Sequence, residues 1–255
     1  MKPAVAIIGI GEIGGVFARG LLKAGYPVFP VNRGDDIHQA ANVFPEPALV
    51  LVTVGEADLH PTLDAIPAAW RDRLALIQNE LLPADWQAHD LANPTVASIW
   101  FEKKKGQDVK VLVPTPVYGP GASILAEALD ALGIAWARVS DADRLLFELV
   151  RKNLYILTTN ICGLRTGGTV QELWSDHEDL ARAVFAEILQ LESVRTGSQF
   201  DADALLHAVL EAFEGDPAHK CMGRSAPARL ARALEGAAKY GVAVPTLEAI
   251  AREQR

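Results

Sequence analysis

Residues 7–36 read IIGIGEIGGVFARGLLKAGYPVFPVNRGDD, with Gly9, Gly11 and Gly14 in the spacing G-x-G-x-x-G. Glycines recur in that spacing by chance, so the flanks decide its meaning. Residues 4–10 form an apolar run of strand length, and residues 12–25 place Val16, Leu21 and Leu22 at helical spacing. Residues 26–32 (YPVFPVN) are the next strand candidate, ending about 18 residues beyond Gly14. Strand, glycine turn, helix and strand open a dinucleotide-binding unit. Its first glycine permits the tight turn, the second lets backbone amides approach a pyrophosphate, and the third lets helix and strand pack closely. The diphosphate would sit on the positive end of the helix dipole, against Gly9, Gly11, Glu12, Ile13 and Gly14.

The end of the second strand selects the cofactor. An NAD enzyme usually carries Asp or Glu there to hold the ribose 2′-hydroxyl. Here Asn32 is followed by Arg33, a neutral residue and a guanidinium suited to a 2′-phosphate. NADP is therefore expected. Asp35 and Asp36 come late for the usual position but keep NAD open.

Outward from this unit, residues 48–54 (ALVLVTV), 74–79 (LALIQN) and 109–115 (VKVLVPT) are further strand candidates, with helices near 59–70 and 123–132. Apolar runs alternating with helices predict a parallel sheet covered on both faces, and right-handed crossovers make it doubly wound. From residue 141 the pattern changes. Residues 141–168 read as one long helix, capped by Asp141 or Asp143 and ended by Gly167–Gly168. Helical segments follow at 170–189, 202–213, 226–240 and 246–253, with no strand pattern. The expected fold is α/β: an N-terminal Rossmann-type doubly wound parallel sheet over 1–140, then an all-α C-terminal domain over 141–255.

Composition narrows the function classes. A net charge of −8 argues against nucleic-acid binding, and the one basic run, residues 102–110 (EKKKGQDVK), reads as a solvated hairpin or loop. The six histidines are scattered without HExxH, so no metal is expected. Cys162 and Cys221 show neither a zinc spacing nor a disulfide framework, and a reducing cytoplasm is the expected compartment. Gly9 and Gly11 interrupt the apolar opening, so no signal peptide is read there. No apolar run reaches the ~18 residues of a membrane span.

Chemistry must come from groups beside the cofactor. Asn79 stands where the strand pattern of 74–79 breaks, at the carboxyl end where ligands bind in open α/β sheets. On the long helix, Thr159 falls seven residues after Lys152, nearly under it, and Asn160 eight residues after, about 12 Å along the axis. Polar groups on a helix otherwise rich in Leu and Ile suggest a wet face, where a lysine protonates the oxyanion formed when hydride reaches a ketone. Cys221, beside His219 and Lys220, is read as a buried inert thiol rather than a nucleophile.

These residues resemble the ketopantoate reductase (2-dehydropantoate 2-reductase) family along nearly the whole chain. The likeness rests on GIGEIG at residues 9–14, on LVTV at 51–54, which contains Thr53, on Gln78-Asn79, and above all on RKNLYILTTNICGLRTGGTVQEL at 151–173. The resemblance implies reduction of a 2-oxo acid by NADPH, with Lys152 as general acid and Asn79 and Asn160 as its partners. Thr53 and Asn79 would border the cofactor; Thr159, Asn160, Cys221 and Ser225 would border the substrate. The chain departs from the family at Ile156, an asparagine there; at Gly55, a lysine there; at Glu80, a glycine there; and near Ser225, where a substrate-binding glutamate is missing. A site that has lost polar partners discriminates differently, so ketopantoate itself is not the expected substrate. The expectation is an NADPH-dependent reductase of a small 2-oxo acid-like carbonyl compound. The alternative is a catalytically degenerate NADP-binding sensor or scaffold. All-α second domains in this architecture often pair, which makes a homodimer compatible with the sequence.

Overall fold

The glycine-turn unit forms as β1 (Val5–Ile8), α1 (Glu12–Lys23) and β2 (Val28–Val31) in a computed structural model that describes residues 2–254. Every residue of β1 is buried. Helix α1 buries Val16, Phe17, Gly20 and Leu21, whereas Leu22, expected on the same face, is 59% exposed. One residue is 100° of helix rotation, which carries Leu22 past the edge of a stripe centred on Phe17 and Leu21. Gly20 is where the next layer touches: a Cβ there would lie 2.4 Å from the Ala128 carbonyl oxygen.

The chain continues through α2 (Ile37–Val43), β3 (Leu49–Val52), α3 (Leu59–Asp64), β4 (Leu74–Leu76), α4 (Pro83–Gln87), β5 (Thr95–Ala97), β6 (Phe101–Glu102), β7 (Lys110–Val111), β8 (Thr115–Tyr118), α5 (Ala122–Leu132) and β9 (Trp136–Arg138). The seven-stranded sheet has the order β2-β1-β3-β4-β5-β8-β9. Its pairs are parallel except β5 with β8. Because β1 lies between β2 and β3, the winding reverses at β1, and the carboxyl ends of β1 and β3 border a topological switch point. Flanking helices cover this sheet, as the alternation of apolar runs predicts.

Two local expectations change. Residues 109–115 do not enter the sheet as one strand: Lys110–Val111 pairs antiparallel with Phe101–Glu102 in a separate hairpin. The basic run occupies that hairpin, with Lys103 Nζ 3.7 Å from Glu12 Oε2. The helix expected over 59–70 stops at Asp64, and a 3-10 segment follows at Ala68–Arg73. Pro67 disfavours helical geometry at the residue before it and removes a donor.

The chain forms two compact units that meet in sequence at Glu148/Leu149, inside α6 (Ala142–Thr166). Of the two candidate caps of α6, Asp141 is used: its Oδ1 accepts from the Arg144 amide at 2.8 Å. Gly167 and Gly168 end the helix with φ of +65° and +72°. Then come α7 (Val170–Asp176), α8 (Glu178–Thr196), α9 (Ala202–Gly215), α10 (Ala226–Tyr240) and α11 (Pro245–Glu253). The single helix expected over 170–189 is two, broken at His177. A capping box between Thr169 and Glu172 starts α7, and the Glu187 carboxylate accepts the Thr246 and Leu247 amides at 2.8 and 3.0 Å, capping α11 from α8. Among the described residues no helix is long and apolar enough to cross a membrane.

Candidate active site

In the first unit the glycine turn borders a cleft of about 690 Å³ lined by Gly9, Gly11, Asn32, Arg33, Thr53 and Asp58 among others. Gly9 sits at φ +89°, a conformation that side chains disfavour, and its amide donates to the Val31 carbonyl at 2.8 Å. At Gly14 a Cβ would lie 2.4 Å from the Gly9 oxygen and 2.6 Å from Thr53 Oγ1, so helix and strand meet there without a side chain. Gly11 differs, since a Cβ there would meet nothing within 4 Å. The protein's own packing does not require that glycine. As N-cap of α1 it supplies no side-chain hydrogen bond, which leaves the helix's first amides for a ligand. These features fit a dinucleotide diphosphate.

The other expected cofactor contacts are unequal. Thr53 lines the cleft, but its hydroxyl bonds to the Ile8 carbonyl at 3.1 Å and to that of Gly9; it fastens the turn to β3. Ile13 packs against the core, and Glu12 lines a second cleft of about 680 Å³ with Arg19 and Lys103, so both have backbone N–H groups to offer the diphosphate. The Arg33 side chain is 92% exposed, with Nη2 3.2 Å from Asp58 Oδ2. Asp35 also lines the cleft, and its Oδ2 accepts from the Asn32 amide at 2.7 Å. Asp36 is committed elsewhere as the cap of α2, accepting from the His38 and Gln39 amides at 2.8 and 3.2 Å.

Asn79 follows β4, its Nδ2 donating to Glu56 Oε1 at 3.0 Å. Beside it, Gln78 is buried and donates to the Val52 and Val54 carbonyls at 2.9 and 3.3 Å, tying the ends of β3 and β4 together. In the sequence Gln78 carried only the family resemblance, without this tying role, and Glu56 gave no signal. Glu80 has φ +62°, left-handed geometry at the position where the resembling family has glycine.

In the second unit, Lys152 is half-buried with Nζ 5.6 Å from the Tyr155 ring centroid. Thr159 is buried, and its hydroxyl donates back to the Tyr155 carbonyl at 2.8 Å; the helix itself uses this group. Asn160 is a junction. Its Nδ2 donates to the Cys221 carbonyl at 3.0 Å, and its Oδ1 accepts from Arg229 Nη1 at 2.7 Å. Cys221 is fully buried, and desolvation pushes its thiol up to about 11, with the Glu172 charge adding to the shift. The expectation that Cys221 borders the substrate is thus corrected for its side chain: the thiol is enclosed, and its carbonyl is what it brings to the junction. The chain here lies close on α6, for a Cβ at Gly163 would fall 2.9 Å from Cys221 Cβ. Ser225 is the exposed N-cap of α10, without a side-chain cap bond. Arg229 was missed by sequence reasoning. It joins Asn160 across 69 residues, and an arginine on an alanine-rich helix gives no local sign of that contact.

No family model and no curated protein sequence matches the chain. Solved structures do. A 2-dehydropantoate 2-reductase from Methylococcus capsulatus aligns with a TM-score of 0.72 at 17% identity, covering 98% of this chain and 95% of that one. A PanE/ApbA family ketopantoate reductase from Ralstonia eutropha JMP134 gives 0.70 at 18%, covering 98% and 96%. D-mandelate dehydrogenase in complex with NADH gives 0.69 at 16%, with the same coverage. Along nearly its whole length, this chain has the ketopantoate reductase fold.

Proposed function

We propose that this protein is a nicotinamide-dependent reductase of a small 2-oxo acid, with NADPH as its preferred donor, acting in the cytoplasm. The observation that carries the reading is the glycine turn: Gly9 at a positive φ that side chains disfavour, Gly14 forced by close packing, and Gly11 open to the cleft. Fold neighbours described as 2-dehydropantoate 2-reductases and as a D-mandelate dehydrogenase bound to NADH support it. When bound, the reduced nicotinamide supplies a hydride to the carbonyl carbon. Lys152 donates the proton to the carbonyl oxygen, which leaves an alcohol and a neutral amine that is reprotonated from solvent. Asn79 and Asn160 orient the carbonyl compound. Arg33 holds the 2′-phosphate in competition with Asp58. Two free, buried cysteines suit a reducing compartment, and a fold neighbour described as a dimeric ketopantoate reductase from Staphylococcus aureus supports a homodimer.

The test is Lys152→Met. Loss of a general acid costs about 10²–10⁴-fold, so turnover of a 2-oxo acid, followed as loss of NADPH absorbance, should fall by that factor while NADPH binding persists. Undiminished turnover defeats the assignment. A second reading, a nucleotide-binding sensor without turnover, is favoured by the apolar Ile156 one turn from Lys152 and by the Asn79 amide already bonded to Glu56. NADPH binding with no oxidation by any of a panel of 2-oxo acids would select it.

A further inference from the structure

The six histidines are scattered along the sequence, but two of them meet in the first unit. His60 Nδ1 lies 2.8 Å from His89 Nε2, across 29 residues, and the two rings stack with centroids 5.1 Å apart. Each ring has a carboxylate of the opposite segment behind it. His89 Nδ1 is 2.9 Å from Asp64 Oδ1, and His60 Nε2 is 3.5 Å from Asp85 Oδ1. Two i,i+4 pairs build this chain: His60 with Asp64 on α3, and Asp85 with His89 along α4 and the turn that ends it. The second side is held in place from outside. The other Asp85 oxygen accepts the Leu82 amide at 2.7 Å, and Arg71 donates to the His89 backbone carbonyl.

The proton count fixes what belongs between the rings. A neutral imidazole carries one proton and one lone pair on its two nitrogens. The carboxylates favour that proton on the outer nitrogen of each ring, His89 Nδ1 and His60 Nε2. Both inner nitrogens then turn lone pairs toward one another at 2.8 Å, and a positive charge has to lie between them. A shared proton supplies one charge against two carboxylates; a divalent ion supplies two. A carboxylate behind each imidazole is also the usual support of a metal-bound histidine, since it fixes the tautomer and raises ligand basicity. At metal–nitrogen distances of about 2.0–2.1 Å, nitrogens 2.8 Å apart subtend roughly 85–90° at the ion. That angle joins neighbouring positions of tetragonal coordination, the preference of Cu²⁺ and Ni²⁺. The His89 side chain is 9% exposed and that of His60 51% exposed, so an ion enters from the His60 side and solvent fills its other positions.

We infer that His60 Nδ1 and His89 Nε2 bind a divalent transition-metal ion of the Ni²⁺ or Cu²⁺ kind, with Asp64 and Asp85 as outer partners of the two rings. The ion ties α3, whose Pro61 and Thr62 line the nucleotide cleft, to the end of α4. None of the groups assigned to the reductase reading takes part, so the two stand or fall separately.

Calorimetry tests the site by titrating NiCl₂ into the full chain after dialysis against EDTA, with MgCl₂ in parallel. One Ni²⁺ per chain should bind and raise the thermal midpoint, whereas Mg²⁺, which takes oxygen ligands, should do neither. Loss of an outer carboxylate in Asp64→Asn should weaken Ni²⁺ binding about 10–100-fold, and His60→Ala or His89→Ala should weaken it more. The thermal midpoint without metal establishes that each variant is folded; His60 and Asp64 are both exposed, so those two variants keep the test open if His89→Ala does not fold. Absence of Ni²⁺ binding at neutral pH would mean a pair bridged by a proton alone and overturns the inference. Ni²⁺ binding that is undiminished in His60→Ala overturns it as well.

Discussion

Arg33 is where cofactor choice is argued residue by residue. Its guanidinium lies at the cleft 3.2 Å from Asp58, and Asp35 is held beside it by the Asn32 amide. A 2′-phosphate must displace Asp58 from Arg33, whereas a 2′-hydroxyl needs only an acceptor. A hydrogen bond to a charged group contributes about 1.5–3 kcal/mol, so Arg33→Ala should weaken NADPH binding about 10–100-fold and leave NADH nearly unchanged. Asp58→Asn should tighten NADPH binding. Titration by nucleotide fluorescence checks both, and equal losses for the two nucleotides would remove Arg33 from the 2′ site. Glu80 offers a separate test of backbone strain. A non-glycine residue at φ +62° costs about 1–2 kcal/mol, so Glu80→Gly should exceed Glu80→Ala in stability by about 1 kcal/mol in denaturant unfolding. Comparing these two variants cancels the loss of the carboxylate itself. The cysteines provide a third check. Burial pushes Cys162 up to about 12 and Cys221 to about 11, so at pH 8 both remain thiols. Alkylation of the native protein should be negligible and become complete on unfolding.

At the scale of elements, the helical half is tied together by a buried carboxylate. Glu192 of α8 is fully buried, accepting from Arg195 Nη1 at 2.9 Å and from Asn153 Nδ2 of α6 at 3.4 Å. Removing the arginine takes one charged hydrogen-bond donor from a buried carboxylate, a contact worth about 1.5–3 kcal/mol. Arg195→Met should therefore destabilise strongly in urea unfolding, and Glu192→Gln on that background should recover part of the loss. A cost below about 1 kcal/mol would mean that Arg195 is dispensable to this packing. What was legible in the sequence follows local apolar density. The four-residue apolar strands β1 and β3 and the 25-residue α6 carry enough period or apolar density to be read. Strands β5 and β9, three residues each, do not. Nor does the break at His177, which has no Pro or Gly to mark it. The glycine turn was readable because each glycine answers a local demand. The Asn160–Arg229 bond was not, because it joins helices that only the tertiary fold brings together.

For the molecule as a whole, the position of the boundary between units bears on cooperativity. The division at Glu148/Leu149 falls within a single uninterrupted helix, α6, so no loop separates the sheet-bearing half from the helical one. Fraying the first turns of α6 exposes apolar residues of both halves, among them Leu145, Leu149 and Val150. One cooperative unfolding transition is therefore expected, rather than two. Ligand binding tests this, because the cleft belongs to the first unit alone. At 100 times its Kd, NADPH adds about 2.7 kcal/mol to whatever unfolds with the cleft. For a chain of this size that raises Tm by roughly 5–10 °C. Amide exchange then shows where the stabilisation goes. If the halves unfold together, NADPH should slow the most protected amides of β1 and of α8 by the same factor, about 100-fold. Slowing confined to β1, with α8 unchanged, would show two foldons sharing a helix without sharing an energy barrier.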